Sequence, residues 1–176
     1  MQVEKISPFL EEKDIRSRVR ELAHEIAAVF EDELTVIGLL KGSFMFMADL
    51  MRAMHRTPLH LTVDFMKVSS YGTGTESSGE VRLVKDIGFA IEKRNVLIVD
   101  DILDSGHSLS MVIRHLEGHR PKRLKTCVLL DKPERRQVSI RADFVGFEIP
   151  NAFVVGYGLD FDEHYRELPY IGILET

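Results

Sequence analysis

Cysteine occurs once in this 176-residue chain, at Cys127, which excludes an internal disulfide and fits a reducing compartment. No apolar stretch is long enough to span a bilayer, and the opening MQVEKISPFLEEKD lacks a signal-peptide core, so a cytoplasmic location without membrane partners is expected. Basic excess is also missing. Lysine and arginine total 23 against 28 acidic residues, a net charge of −5, and this gives no footprint for bulk nucleic-acid binding. There is no internal repeat, heptad seam or low-complexity linker.

What remains is the composition of an ordinary folded domain, 44% hydrophobic and 29% charged. A chain of this length buries about 70% of its extended surface, enough for a core without covalent staples. Ile15, Val19, Leu22, Ile26 and Phe30 fall at helical spacing and predict an amphipathic helix over Glu11–Glu31. LTVIGLL (34–40) has strand length, Lys41-Gly42-Ser43 turns, and FMFMADLMRAM (44–54) is an apolar helix with methionines as core filler. Alternation predicts a strand over Leu59–Lys67; 69–79 (SSYGTGTESSG) has no period, and Val81–Val84 resumes the sheet. Val96–Val99 reads as a central parallel strand, followed by a helix over Ser108–Gly118. Further strands are expected at Leu124–Leu130, Phe144–Glu148, Ala152–Tyr157 and Tyr170–Leu174. Strands alternating with helices predict a single α/β domain around a parallel sheet.

The chemistry concentrates in VLIVDDILDSGHS (96–108). In open parallel sheets ligands sit beyond the carboxyl ends of the strands, and Asp100 and Asp101 fall at such an end. The following loop, Asp104-Ser105-Gly106-His107-Ser108, offers a close backbone approach, two hydroxyls and the amides of a helix N-terminus, all suited to phosphate. Acids repel phosphate unless a sugar or a divalent cation separates them, so the stretch points to a phosphorylated sugar carrying Mg²⁺. The plainer alternative is that Asp104 or Ser105 caps the helix; capping leaves the two acids upstream unexplained.

This segment resembles the phosphoribosyl-pyrophosphate motif of type I phosphoribosyltransferases. Nearly the whole chain is similar to the bacterial hypoxanthine-using members, in four ordered blocks: LLKGS (39–43), SSYG (69–72), VLIVDDILDSGHS (96–108), and DKPERR with FVVGYGLDFDEHYR between 131 and 166. The resemblance implies a central parallel sheet flanked by helices, with a small hood from about 1–10 and 131–176. It implies that Asp104–Ser108 hold the 5′-phosphate, and that Asp100 and Asp101 contact the ribose hydroxyls, which also ligate Mg²⁺. Asp160 becomes a second metal contact, where the plain reading is a turn. Asp104 becomes the general acid/base facing purine N7; adenine- and uracil-using relatives lack an acid there, so a 6-oxopurine is expected. Lys132 would donate to purine O6, Phe153 would stack on the base and the main chain of Val154 would read its edge; a solvated turn lysine and a core aromatic are the plain readings. Lys41, Gly42, Ser43 and Arg166 would hold pyrophosphate, with a non-proline cis bond at Leu40–Lys41. Ser70 and Tyr71 would close a lid over it, sheltering the reacting centre from water.

The chain departs from the pattern at Asp100, where many relatives carry glutamate, and at Ser105 and Ser108, where threonine is common. His107 beside the phosphate would make binding vary with pH near neutrality. The expected reaction is Mg²⁺-dependent transfer of phosphoribosyl to hypoxanthine, with guanine as second substrate, in a homodimer or homotetramer. Two other classes stay open: a regulator of the same fold that binds RNA or protein without this catalysis, and a receiver-like domain, since IVDD also resembles an aspartate-phosphorylation pocket. The latter normally lies on a domain's first strand, whereas Asp100 lies past mid-chain.

Overall fold

A computed structural model describes residues 5–70 and 81–175. The chain runs β1 (Lys5–Leu10), α1 (Glu12–Ala27), β2 (Glu33–Leu40), α2 (Phe44–Met54), β3 (His60–Ser70), β4 (Val81–Lys85), β5 (Asn95–Leu103), α3 (His107–Glu117), β6 (Arg123–Asp131), β7 (Phe144–Glu148), β8 (Val154–Val155) and β9 (Ile171–Glu175), with one 3₁₀ turn over Pro133–Arg135.

Six strands form the main sheet in the order β4-β3-β2-β5-β6-β7. Its pairings are parallel except that β4 returns antiparallel along β3. The alternating side chains of each central strand divide between two cores. Leu34 and Val36 of β2 and Leu97 and Val99 of β5 pack with α1 and α2 on one face. Ile37, Leu39, Val96 and Ile98 pack with Leu109, Val112 and Leu116 of α3 on the other. Burial on both faces is why these strands read as continuous apolar runs. From β2 the chain crosses through α2 to β3 on one side, and from β5 through α3 to β6 on the other. The order therefore reverses between β2 and β5, and the loops leaving them diverge to leave a crevice there.

A second, antiparallel sheet, β1-β9-β8, brings the two ends of the described chain together, pairing Lys5 with Glu175. Phe144–Glu148 joins the main sheet beside β6.

Several element boundaries differ from expectation for local reasons. The first helix stops at Ala27, not Glu31: the amides of Val29 and Phe30 both bond to the Ile26 carbonyl and Asp32 has a φ of 59°, yet Phe30 stays buried, so the apolar spacing outlasts the helix. Strand β5 continues past Val99 because β6 keeps pairing with it, Asp100 with Val128 and Leu103 with Asp131. Strand β1 lies in the stretch expected only as part of a hood, with no element assigned; Pro8 sits beside a bulge on a sheet edge, where proline is tolerated. The expected strand over Ala152–Tyr157 shrinks to Val154–Val155, because Gly156 leaves the ladder to bridge Leu159.

Candidate active site

The crevice between β2 and β5 is built by close backbone approach. After β2 the Leu40–Lys41 peptide is cis. Gly42 then lies against β5: a Cβ there would overlap the Asp101 carboxylate, so any larger residue would have to displace that side chain. The backbone of Gly158 in turn lies against the Gly42 carbonyl oxygen. Ser43 is fully buried and its hydroxyl donates to the Leu39 carbonyl at 2.6 Å, which ties the turn back onto the end of β2.

Asp100 and Asp101 stand side by side within β5, half-buried. The Asp101 amide donates to Asp100 Oδ1 at 3.0 Å, and the Ile102 amide to Asp101 Oδ1 at 2.9 Å. Burial, joined by the neighbouring carboxylate, pushes the Asp100 carboxyl well above the usual carboxylate range. Burial also raises Asp101, although hydrogen bonds and the Arg166 guanidinium draw it part of the way back. Two crowded acids held at one strand end by their own backbone, with hard oxygen donors only, fit Mg²⁺ or a polyhydroxylated ligand.

The loop after β5 has its carbonyls engaged from behind by the segment after β6. Gly106 adopts a φ of 90° at the N-cap of α3, and no side chain caps that helix, which removes the plain capping reading of Asp104 and Ser105. The first amides of α3 have no intrahelical partner and face the positive end of its dipole. Behind the loop, Arg136 works as a bracket. It donates to the carbonyls of Asp104 (2.9 Å), Leu103 (3.4 Å) and Ile140 (2.6 Å) and pairs with Asp131. The Ser105 carbonyl accepts from the Gln137 and Val138 amides, and His107 Nε2 lies 2.9 Å from Gln137 Oε1. The Ser108 side chain is half-buried in the first turn of α3.

At the end of β6, Lys132 is buried at 7% exposure and its amide donates to the Leu103 carbonyl. Burial lowers its ammonium pKa, opposed by the charge of Asp104. The Asp104 carboxylate meets Arg135 Nε at 3.1 Å. Across the crevice, Arg166 donates to the Gly158 carbonyl at 2.8 Å and pairs with Asp160 at 2.9 Å and Glu163 at 3.2 Å. Lys41 Nζ reaches the same Glu163 carboxylate at 2.7 Å.

Residues 8–162 match the family described as the phosphoribosyl transferase domain. This chain belongs to that family. It is 51% identical to the hypoxanthine-guanine phosphoribosyltransferase of Aquifex aeolicus over 97% of its own length and 96% of that protein's. To the hypoxanthine-guanine phosphoribosyltransferase of Bacillus subtilis it is 47% identical, over 98% and 94%. The crystal structure of a hypoxanthine-guanine phosphoribosyltransferase from Bacillus anthracis, with a HEPES molecule in its active site, superimposes with a TM-score of 0.91 at 47% identity, covering 97% of this chain and all of that one.

Within this phosphoribosyl transferase fold, the structure brings Lys41, Gly42, Asp100, Asp101, Asp160 and Arg166 to one crevice, and Asp104 to the neighbourhood of Lys132. Val154 is buried in β8, while Phe153 is 45% exposed and meets the Phe161 ring edge-on at 5.6 Å. Ser70 ends β3 opposite Val81; Tyr71 lies outside the described residues. Sequence reading assigned no role to Arg135, Arg136, Gln137 or Glu163. The first three stand in or beside the quoted DKPERR block, where paired arginines next to a proline were the available signal.

Proposed function

We propose that this protein catalyses Mg²⁺-dependent transfer of a phosphoribosyl group from 5-phosphoribosyl 1-pyrophosphate to hypoxanthine, and to guanine, releasing pyrophosphate, as a purine-salvage enzyme of the cytoplasm. The observation that carries this reading is the acid pair at the switch point, pressed against Gly42 and followed directly by an uncapped helix N-terminus. An anion seat, a diol seat and a second cationic wall thus occur in the order that one phosphoribosyl pyrophosphate presents them.

In this reading the amides of Ser105–Ser108 bind the 5′-phosphate, and Asp100 and Asp101 accept from the ribose hydroxyls and hold the metal, with Asp160 opposite. Mg²⁺ held by these carboxylates would supply the positive charge that offsets the departing pyrophosphate. Lys41, Gly42, Ser43 and Arg166 orient that leaving group while the C1′–oxygen bond breaks and the bond from C1′ to purine N9 forms. Asp104 faces N7 and takes the imidazole proton that the ring must lose as N9 bonds to C1′, a contribution of typically 10²–10⁴-fold. Lys132 donates to O6, which selects an oxo over an amino purine; Phe153 stacks and the main chain of Val154 reads the base edge. The smaller sheet and the segments around it serve as a hood over the base, and Ser70 and Tyr71 cover the pyrophosphate. We also propose a homo-oligomer.

The test is initial rates with hypoxanthine, guanine, xanthine and adenine, each with phosphoribosyl pyrophosphate and Mg²⁺. Hypoxanthine and guanine are expected to turn over, adenine is not, and Asp104→Ala is expected to lose about 10²–10⁴-fold in kcat. Full activity in Asp104→Ala refutes the assigned role. Binding of RNA without turnover of any purine replaces the enzyme with a regulator.

A further inference from the structure

Asp86, just past β4, His115 in the last turn of α3 and His119 in the turn beyond it place one carboxylate oxygen and two imidazole nitrogens within 4.8 Å of one another. None of the three takes part in the crevice between β2 and β5. His115 lies about 12 Å along α3 from His107, eight residues at 1.5 Å each. We propose that this trio binds a late first-row divalent cation, of which zinc is the natural probe, with water completing the shell.

The donor set points to this class of ion. Two neutral imidazoles and one carboxylate suit zinc, nickel or cobalt, whereas magnesium takes oxygen ligands and keeps its waters. His115 Nε2 lies 2.9 Å from both Asp86 oxygens, a hydrogen-bonded pair whose donor and acceptor already turn toward one another and between which a cation would take the proton's place. The His119 ring stands edge-on to His115, with centroids 5.2 Å apart. With bonds of about 2.0–2.1 Å, tetrahedral ligand atoms stand about 3.3 Å apart, so the His115–Asp86 pair opens by about 0.4 Å and the widest pair of the trio closes by up to about 1.5 Å, within reach of side-chain rotation. The Ile87 amide donates to Asp86 Oδ1 at 2.7 Å, which orients the carboxylate as outer-sphere partners orient metal ligands. The trio also sits at the carboxyl end of α3, where the helix dipole favours a cation. The opposing charge of Lys85 is held on the carbonyls of Phe65 and Asp86 at 2.6 and 3.0 Å. A bound ion would staple the connection leading from β4 to β5 onto the far end of the helix whose near end forms the anion seat.

The test is isothermal titration of chelator-stripped protein with zinc chloride in an Asp100→Asn/Asp101→Asn background, so that the acid pair does not compete. One zinc per chain is expected, with a rise in Tm. His115→Gln and His119→Gln, which keep polar side chains but lose imidazole ligation, should each weaken zinc by more than about 10–100-fold, the loss that even an outer-sphere partner causes. Cobalt(II) should give visible d–d absorption that disappears in the same variants. Undiminished zinc affinity in His115→Gln/His119→Gln, or no zinc uptake at micromolar concentration, overturns the proposal.

Discussion

Replacing Asp100 with asparagine should make the folded protein more stable while destroying its activity. The two acids of β5 are joined by a backbone hydrogen bond and crowd one another beneath the Gly42 turn. At about 4 Å and an effective dielectric of about 20, two full charges repel by about 4 kcal/mol. Part of this is already relieved by the hydrogen bonds each carboxylate accepts, so the gain open to measurement is smaller, about 1–2 kcal/mol, or about 2–8 °C in Tm for a chain of this size. The pH dependence fixes the cause. Both carboxyls are raised above their ordinary value of 3.8, so the folded state binds more protons than the unfolded one across that interval. Their contribution to stability is fully present below the ordinary range and is lost as pH rises through the folded-state values. The advantage of Asp100→Asn should therefore grow from pH 5 to pH 8. Thermal denaturation without Mg²⁺ or phosphoribosyl pyrophosphate, at three pH values, measures it. A variant less stable than the parent at pH 8, or an advantage that does not change with pH, refutes the reasoning.

Three other variants probe other parts of the site. Arg136→Ala removes the bracket behind the loop after β5 and strands Asp131; a cost of about 3 kcal/mol should lower Tm by about 6–12 °C and, if that loop holds the 5′-phosphate as proposed, raise the KM for phosphoribosyl pyrophosphate, with only partial recovery in Arg136→Lys. Lys132→Met keeps the volume but loses the donor, so kcat/KM for hypoxanthine should fall about 10- to 150-fold while stability is maintained, as read by steady-state kinetics and calorimetry. Glu163→Gln frees Lys41 and Arg166 from a competing carboxylate and should tighten product inhibition by pyrophosphate about two- to fivefold, an effect that salt erodes because Glu163 is exposed.

The places of the glycine loop and the acid pair in the fold were legible in the sequence because both are consecutive: a buried run, two acids and a glycine loop mark a strand and the start of the helix after it. The same holds for the central strands, whose apolar runs record burial on both faces. The bracket of Arg136 was not legible, since nothing local shows that the segment after β6 folds back beneath the loop after β5. Glu163 is missed for a similar reason: its meaning depends on Lys41, brought near only by the contact of Gly158 with Gly42. Strand β1 is hidden still more deeply, because its pairing partner lies at the other end of the chain.

That last pairing sets an order on biosynthesis. Strand β9 lies between β1 and β8 and is made after every other described strand, whereas β1 is made before them. During synthesis at the ribosome the six-stranded body has all its strands before β9 is translated, and β1 must wait, its edge unsatisfied, for a partner more than 150 positions downstream. A truncated translation product ending before Ile171 would keep every strand of the main sheet yet expose two orphaned edges, a natural mark for quality control.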